Sequence, residues 1–225
     1  NAIDHADADS NVIIGTSAGS GGGAAMAECV VVGASAMNST AANAQTGTIA
    51  IGYDALTTLT SGAGNVAIGQ NALKLLTTGG DNVAIGQHSL GKIVGSGQNV
   101  AMGWASGFNN LTGGENVFIG VWTGGITTDV DQTVCIGGYA GYGNMTSTAD
   151  GTVAIGYGAL KALTSGAGNV AIGFESLKTE DAGPGNTAIG YQALETLNND
   201  NGYNIAIGHN SMQAATTAYF NVCIG

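Results

Sequence analysis

The sequence contains no arginine and only four lysines against 15 acidic residues, so its formal net charge is -11 at pH 7. A chain with so few cations cannot neutralise many phosphates, which makes it a poor candidate for binding nucleic acid or anionic lipid. Long hydrophobic runs are also missing. The most apolar stretch, residues 21–37, contains Glu28 and is too short and too glycine-rich to span a bilayer. We therefore expect neither a nucleic-acid partner nor membrane insertion.

Proline and cysteine are scarce as well, with one proline and three cysteines in 225 residues. The cysteines have no metal or redox spacing, an odd number cannot pair fully within one chain, and we interpret all three as small buried apolar residues. No His, Cys and Asp cluster has zinc spacing, so we predict no metal and no cofactor. Acidic residues are close together before Ser10 and after Thr128. We interpret them as solvated turns, while calcium binding there stays open.

Glycine, in contrast, accounts for 40 residues, and thirteen of them end copies of a repeated phrase, which in most copies is Asn or Thr, then small or β-branched apolar residues, then Ile. These closing glycines are Gly15, Gly33, Gly52, Gly69, Gly86, Gly103, Gly120, Gly137, Gly156, Gly173, Gly190, Gly208 and Gly225. Most are 17 residues apart, and the others are 18 or 19 apart. A fixed period of this length predicts one stacked structural unit per repeat. We predict an all-β protein, with an acidic segment at residues 1–10 and a single parallel β-solenoid (β-roll) of about 13 coils at residues 11–225.

The strand phrase has two β-branched positions, three residues and one residue before each closing glycine, as in Val66 and Ile68. Side chains alternate along a strand, so these two positions share one face, which we predict to be the interior. The position between them is mostly alanine and is predicted to face outward. Because a strand that is apolar on both faces is normally covered on both, we predict a homo-oligomer that packs on this column. The predicted interface residues are Ala50, Ala67, Ala84, Ala101, Phe118, Cys135, Ala154, Ala171, Ala188, Ala206 and Cys223.

Three further patterns accompany the strand phrase. Asn stands four residues before the closing glycine in nine repeats, and stacked identical amides predict a hydrogen-bonded ladder. Five repeats carry Leu and a second Leu or Ile three residues later, such as Leu73 and Leu76, which predicts a helical or 3₁₀ turn, or a bent strand, with both side chains inward. In the middle repeats these leucines give way to glycine and large aromatic residues appear. The aromatic rings either fill the vacated volume or form a band that stacks on sugars, with Trp104, Trp122 and Tyr139 as candidate glycan-binding residues.

The phrases at residues 65–73 and 186–194 resemble repeats of bacteriophage tail-fibre proteins and bacterial surface proteins. The strand phrase is also similar to the head repeat of trimeric autotransporter adhesins of the Yersinia adhesin type. The resemblance covers residues 11–225. It implies a parallel β-roll, a homotrimer, and a location outside the cell or on the surface of a virion.

These patterns favour a non-enzymatic fibre or filament segment, on a virion tail or cell surface, that supports adhesion to surface glycans. The alternatives are a subunit of an end-to-end polymerising extracellular filament and, more remotely, an ice-binding protein or a polysaccharide-cleaving spike. Residues 15–19 match the G-x-S-x-G nucleophile pattern, but the match coincides with the repeat frame, so we predict no enzyme. Because the sequence begins with Asn1 and not Met, we expect it to be a piece of a longer protein.

Overall fold

The computed structural model describes residues 10–20, 26–38 and 45–225. These residues contain no α-helix; they form short strands and one 3₁₀ turn, Ser147–Ala149. The chain divides into two compact units, Asn1–Thr112 and Gly113–Gly225. The acidic segment predicted at residues 1–10 lies outside the described residues except for Ser10.

The first unit is a parallel sheet with one three-residue strand per repeat. The strands of this unit are β1 (Val12–Ile14), β2 (Met26–Ala27), β3 (Val30–Val32), β4 (Gln45–Thr46), β5 (Ile49–Ile51), β6 (Val66–Ile68), β7 (Val83–Ile85) and β8 (Val100–Met102). Strands β1, β3, β5, β6, β7 and β8 pair in parallel in that order, and β2 pairs with β4. Equivalent residues of successive repeats are directly opposite, as Ala67 is to Ala84.

The second unit repeats this arrangement. Its strands are β9 (Val117–Ile119), β10 (Val134–Ile136), β11 (Val153–Ile155), β12 (Val170–Ile172), β13 (Thr187–Ile189), β14 (Ile205–Ile207) and β15 (Val222–Ile224). Each pairs in parallel with the next, again in register. The predicted parallel β-solenoid with a 17-residue period is confirmed.

The strand side chains point in the opposite direction from the one predicted. The alanine column is completely buried within the single chain, whereas the β-branched residues on either side of it are partly exposed. The completely buried members are Ala50, Ala67, Ala84, Ala101, Phe118, Cys135, Ala154, Ala171, Ala188 and Ala206; Cys223, in the last strand, is partly exposed. The buried side chains have no surface left to offer a second chain, so their assignment to an oligomer interface was wrong.

The limited volume inside the coil explains this orientation. The turn after β6 buries the side chains of Leu73 and Leu76 completely, and Asn65 is buried before the strand. In such a narrow coil these side chains leave room for only a methyl group on the strand, at Ala67. Valine and isoleucine therefore have to occupy the opposite, outward face.

The middle repeats confirm the volume-filling interpretation at one of the aromatic residues. Phe118 replaces the usual alanine in β9 and is completely buried. Gly124 stands where other repeats have the first leucine, and a Cβ there would overlap the Phe118 ring. Similarly, a Cβ at Gly141 would overlap Cys135 Sγ. A larger inward strand residue is thus accommodated where the leucine across the coil is missing.

The leucine pairs form single turns closed by an i to i+3 hydrogen bond, with both side chains buried as predicted. For example, the Leu76 amide donates to the Leu73 carbonyl at 3.2 Å. The turn is neither helical nor 3₁₀, because Leu73 has a left-handed backbone with φ of 49°. That conformation costs a non-glycine residue about 1–2 kcal/mol, which the burial of the side chain offsets.

The asparagine ladder is also confirmed. In the first unit the Asn82 amide and Nδ2 both donate to Asn65 Oδ1 at 3.1 Å, and Asn99 contacts Asn82 in the same way. In the second unit Asn204 donates twice to Asn186 Oδ1 at 3.0 Å. The ladder satisfies buried amides that would otherwise destabilise the corner of each coil.

The closing glycines allow successive turns to approach each other. Gly69 has φ of 133°, and a Cβ added there would lie 2.6 Å from the carbonyl carbon of Gly86. Ten other closing glycines, those from Gly15 to Gly208 except Gly103, repeat this close contact with the next turn, so at these positions neither the backbone conformation nor the available space admits a side chain.

Replacing a closing glycine should be more destabilising than replacing a glycine that only needs positive φ. In the second unit, Gly173→Ala would overlap the Gly190 carbonyl at φ of 137°, whereas Gly168→Ala, at φ of 70°, meets nothing within 4 Å. We expect a loss of about 1–2 kcal/mol of unfolding free energy for Gly168→Ala and about 3 kcal/mol or more for Gly173→Ala. Urea denaturation measures both, and equal losses would contradict the close-stacking explanation.

The inward orientation of the alanine column gives a second prediction. Ala171→Leu should lower the unfolding free energy by about 1–3 kcal/mol, because the coil has no free volume around this side chain. The matched control is Ala167→Leu at an exposed turn position, where a change within about 0.5 kcal/mol is expected. If Ala171→Leu is tolerated as well as Ala167→Leu, the alanine column does not face inward.

Candidate functional site

Each unit presents a regular apolar sheet surface, which we call the outer face. It consists of the residues three positions and one position before each closing glycine. Its members are Val12, Ile14, Val30, Val32, Ile49, Ile51, Val66, Ile68, Val83, Ile85, Val100 and Met102 in the first unit, and Val117, Ile119, Val134, Ile136, Val153, Ile155, Val170, Ile172, Thr187, Ile189, Ile205, Ile207, Val222 and Ile224 in the second. All are partly or largely exposed. The outer face has no charged residue, and monomeric proteins rarely leave a contiguous patch of this kind uncovered.

Beside the outer face of the second unit, aromatic rings stack in consecutive turns. This aromatic ladder consists of Tyr157, Phe174, Tyr191 and His209, each directly after a closing glycine. Successive ring centroids are 5.6, 5.3 and 5.0 Å apart, with interplanar angles of 14°, 8° and 9°. The spacing follows the separation of neighbouring strands. The rings cover each other's faces, so mainly their edges are open to solvent.

Two of the predicted glycan-binding residues are near this ladder. Tyr139 makes edge contacts with Tyr157 at 5.9 Å and Tyr142 at 5.6 Å, and Lys161 Nζ is 5.5 Å from its ring centroid. Trp122 contacts Tyr142 edge-on at 6.1 Å. Both side chains contact other groups of the protein, and glycan binding at these two residues stays a prediction.

The third predicted residue, Trp104, belongs to the first unit and is 45% exposed. It follows Gly103 directly, the position that the aromatic ladder occupies in the second unit. Of the three candidates, Trp104 presents the largest exposed surface.

A groove of about 260 Å³ crosses three turns of the first unit, and the sequence analysis did not identify it. We call it the lysine groove. Its lining residues are Asn71, Lys74, Leu75, His88, Gly91, Lys92 and Phe108. The residues come from three successive repeats at positions two, five and six after the closing glycine, so only the repeat alignment could have shown that they are neighbours.

Carboxylates in the acidic loop act within the fold. Asp131 Oδ1 accepts a hydrogen bond from the Gly114 amide at 2.6 Å, and Asp129 Oδ1 accepts one from Ser147 at 3.1 Å. Within the described residues, no group of three or more His, Cys, Asp or Glu side chains is arranged to hold a metal ion. The other acidic cluster, before Ser10, lies outside the described residues.

The cysteines differ in exposure. Burial raises the pKa of Cys135 to about 12, so the thiol stays protonated, whereas the nucleophilic form of cysteine is the thiolate. Cys29 is also buried, which raises the pKa of its thiol. The predicted role as small buried apolar residues is confirmed for these two, while Cys223 is partly exposed.

Glu180 is an unexpected buried carboxyl group. It occupies the position of the second leucine of its repeat and is completely buried. Its Oε1 accepts hydrogen bonds from the amides of Gly183 at 2.7 Å and Ala182 at 3.1 Å, whereas Oε2 makes no hydrogen bond of ordinary geometry. Burial raises the pKa of this carboxyl above its usual value. A charged residue in a leucine column is the sequence signal that could have revealed it.

Comparison with models of protein families, with curated proteins and with solved structures gives no match. No helix of the described residues is long and apolar enough to cross a membrane. What the protein does is therefore inferred from three surfaces: the outer face, the aromatic ladder and the lysine groove.

Glu180 predicts a specific dependence of stability on pH. The pKa of the Glu180 carboxyl group is raised in the folded state. Its contribution to the free energy of unfolding is therefore fully present below the unfolded pKa of about 4.3 and is lost as pH rises through the folded pKa. Glu180→Gln should therefore gain thermal stability relative to wild type as pH increases from about 4 to about 8.

Glu175→Gln is the matched control, since hydrogen bonding to Lys178 lowers the pKa of Glu175. Wild type should lose stability relative to this variant as pH falls, the opposite direction. Melting curves of the three proteins across the pH range provide the measurement. A difference between wild type and Glu180→Gln that does not change with pH would contradict the burial of an ionisable Glu180.

Proposed function

We propose that this chain is a non-enzymatic segment of a fibre or filament in which identical chains pack together through their outer faces. The observation that carries the proposal is the uncharged outer face, which is β-branched at every position except Met102 and repeats in register along each unit. A surface of this regularity needs a partner with the same repeat, and a copy of the same chain has it. The partner surface differs from the one expected from sequence, because the alanine column is internal.

The internal construction suits a load-bearing role. Each turn is tied to the next by parallel strand pairing, the asparagine ladder and close glycine contacts. Stability in such an array comes from contacts between neighbouring turns, so adding turns lengthens the element without changing its construction.

Three chains are the favoured stoichiometry, because the strand phrase resembles the repeats of trimeric adhesins. The same resemblance supports a location outside the cell or on a virion. The aromatic residues of the middle repeats, with Trp104 the most exposed of the three candidates, favour surface glycans as the adhesion target. Several copies on one particle would raise the avidity of individually weak contacts.

Light scattering tests the oligomer directly. Wild type should have a mass that is a multiple of 22.0 kDa at micromolar concentration. Ile172→Lys/Ile189→Lys introduces two charges into the outer face of the second unit and should yield monomers that keep the wild-type circular dichroism spectrum.

The control, Ala167→Lys/Asn198→Lys, adds the same charge at exposed positions between the strands and should remain oligomeric. A wild-type mass of 22.0 kDa would overturn the proposed assembly. So would an oligomer that survives the outer-face charges.

A further inference from the structure

We propose that the lysine groove binds one sugar residue that carries a carboxylate, such as a hexuronic acid unit of an acidic polysaccharide. This inference rests on the proposed adhesive function and names a site and a ligand class for it. The groove is in the first unit, at the turn that follows the strands, so it does not use the outer face.

The groove exists because of one glycine. The fifth residue after the closing glycine is Thr57, Lys74, Gly91 and Phe108 in four successive repeats of the first unit. Gly91 leaves a gap in this column between the side chains of Lys74 and Phe108. The Phe108 ring lies against it, since a Cβ at Gly91 would be 3.0 Å from Phe108 Cε2. The resulting volume of about 260 Å³ is below the range of about 300–1,000 Å³ for drug-sized ligands and suits one monosaccharide ring.

The two lysines of the groove favour a ligand group with a single negative charge. Lys74 and Lys92 are the only cationic residues of the first 112, apart from histidine, and both line this groove. Lys74 Nζ is 2.9 Å from Asp54 Oδ2, so this pair is neutral overall. Lys92 Nζ donates to the neutral Asn109 Oδ1 at 2.8 Å and is 4.9 Å from the Phe108 ring centroid, so its charge is not compensated by these contacts. Each ammonium group has three donors, which leaves both able to bind a carboxylate.

The remaining wall suits a sugar better than a simple anion. The exposed Leu75 and the part of the Phe108 ring that lines the groove provide an apolar surface for the C–H groups of a pyranose ring. His88 meets Phe108 edge-on at 5.7 Å and, with Asn71, offers hydrogen-bonding groups for hydroxyls.

The two polar residues are held in place by the backbone. Asn71 and His88 occupy equivalent positive-φ positions, fixed by hydrogen bonds from their amides to the carbonyls of Tyr53 and Gln70 at 2.9 Å. The groove is therefore largely organised before a ligand arrives, which lowers the entropy cost of binding.

The lysines of the second unit have different surroundings. Lys178 lies between Glu175 at 2.9 Å and Glu195 at 3.7 Å, so two carboxylates surround one ammonium group. Lys161 is fifth after its closing glycine, like Lys74, but lies over the Tyr139 ring. It is therefore the matched control for the lysines of the groove.

Calorimetric titration with trigalacturonate and with its fully methyl-esterified form tests the proposal. The two ligands have the same sugar backbone, and only the first has free carboxylates. Wild type should bind trigalacturonate in the millimolar range or tighter, with an affinity that falls as salt is added, and should not bind the ester measurably. Lys92→Met should weaken binding by about tenfold or more, and Lys74→Met should also weaken it, whereas Lys161→Met should bind like wild type.

Gly91→Gln tests the shape of the site with both lysines retained. It fills the gap in the column and crowds the Phe108 ring, so the ligand loses both volume and part of the groove wall, and binding should fall by about tenfold or more. Circular dichroism checks that each variant is folded.

Three results would overturn the proposal: no binding by wild type, equal binding of acid and ester, or equal weakening by Lys92→Met and Lys161→Met. None of them depends on the mass measured by light scattering. Failure of this site and failure of the proposed oligomer can therefore be distinguished.

Discussion

Close contact between the backbones of successive closing glycines is the constraint on which the structure depends. Within each unit the missing side chain at positions such as Gly69 lets the next turn stack directly against it, with a backbone conformation that only glycine adopts without strain. This contact sets the parallel register, and the register brings identical residues together. The asparagine ladder and the aromatic ladder are both consequences of that identity.

The same constraint determines which apolar residues lie inside the coil and which lie on the outer face. A narrow coil can hold two leucines and an asparagine but only a methyl group from the strand, so Ala67 and its counterparts fill the interior. Valine and isoleucine then form the outer face and supply the cohesive surface between chains in the proposed fibre. The residues that differ from one repeat to the next lie in the turns. Gly91 is one of them, and it opens the lysine groove without changing the strand phrase. Assembly and recognition would thus use different sides of each coil.

Much of the fold could be predicted because the repeat itself encodes it. The period gave the solenoid, Asn65 and Asn82 indicated the amide ladder, and Leu73 and Leu76 indicated a turn with inward side chains. The orientation of the strand could not be read from alternation alone, since alternation defines two faces without saying which is inside. A comparison of volumes would have decided it, because Phe118 occurs in the repeat where Gly124 replaces leucine.

The candidate sites were harder to predict. The lysine groove depends on contacts between residues 17 or more apart, such as Gly91 and Phe108, and single-repeat reasoning does not reveal them. The aromatic residues of the middle repeats were recognised as unusual, but the stacked rings of Phe174 and Tyr191 in later repeats were not identified. Glu180 could have been recognised as a charged residue in a leucine column, but the sequence analysis did not identify it.

Disulfide cross-linking between chains tests the central claim most directly, because neighbouring residues of one strand point to opposite faces. In a background without native cysteines, single cysteines would replace Ile172 or Ala171, and mild oxidation would be followed by non-reducing electrophoresis. The structure and the proposed packing predict inter-chain disulfides for Ile172→Cys, whose side chain lies on the outer face and would face a sister chain in that packing. They predict none for Ala171→Cys, whose side chain is buried inside its own coil. Cross-linking through position 171 but not through position 172 would contradict the account.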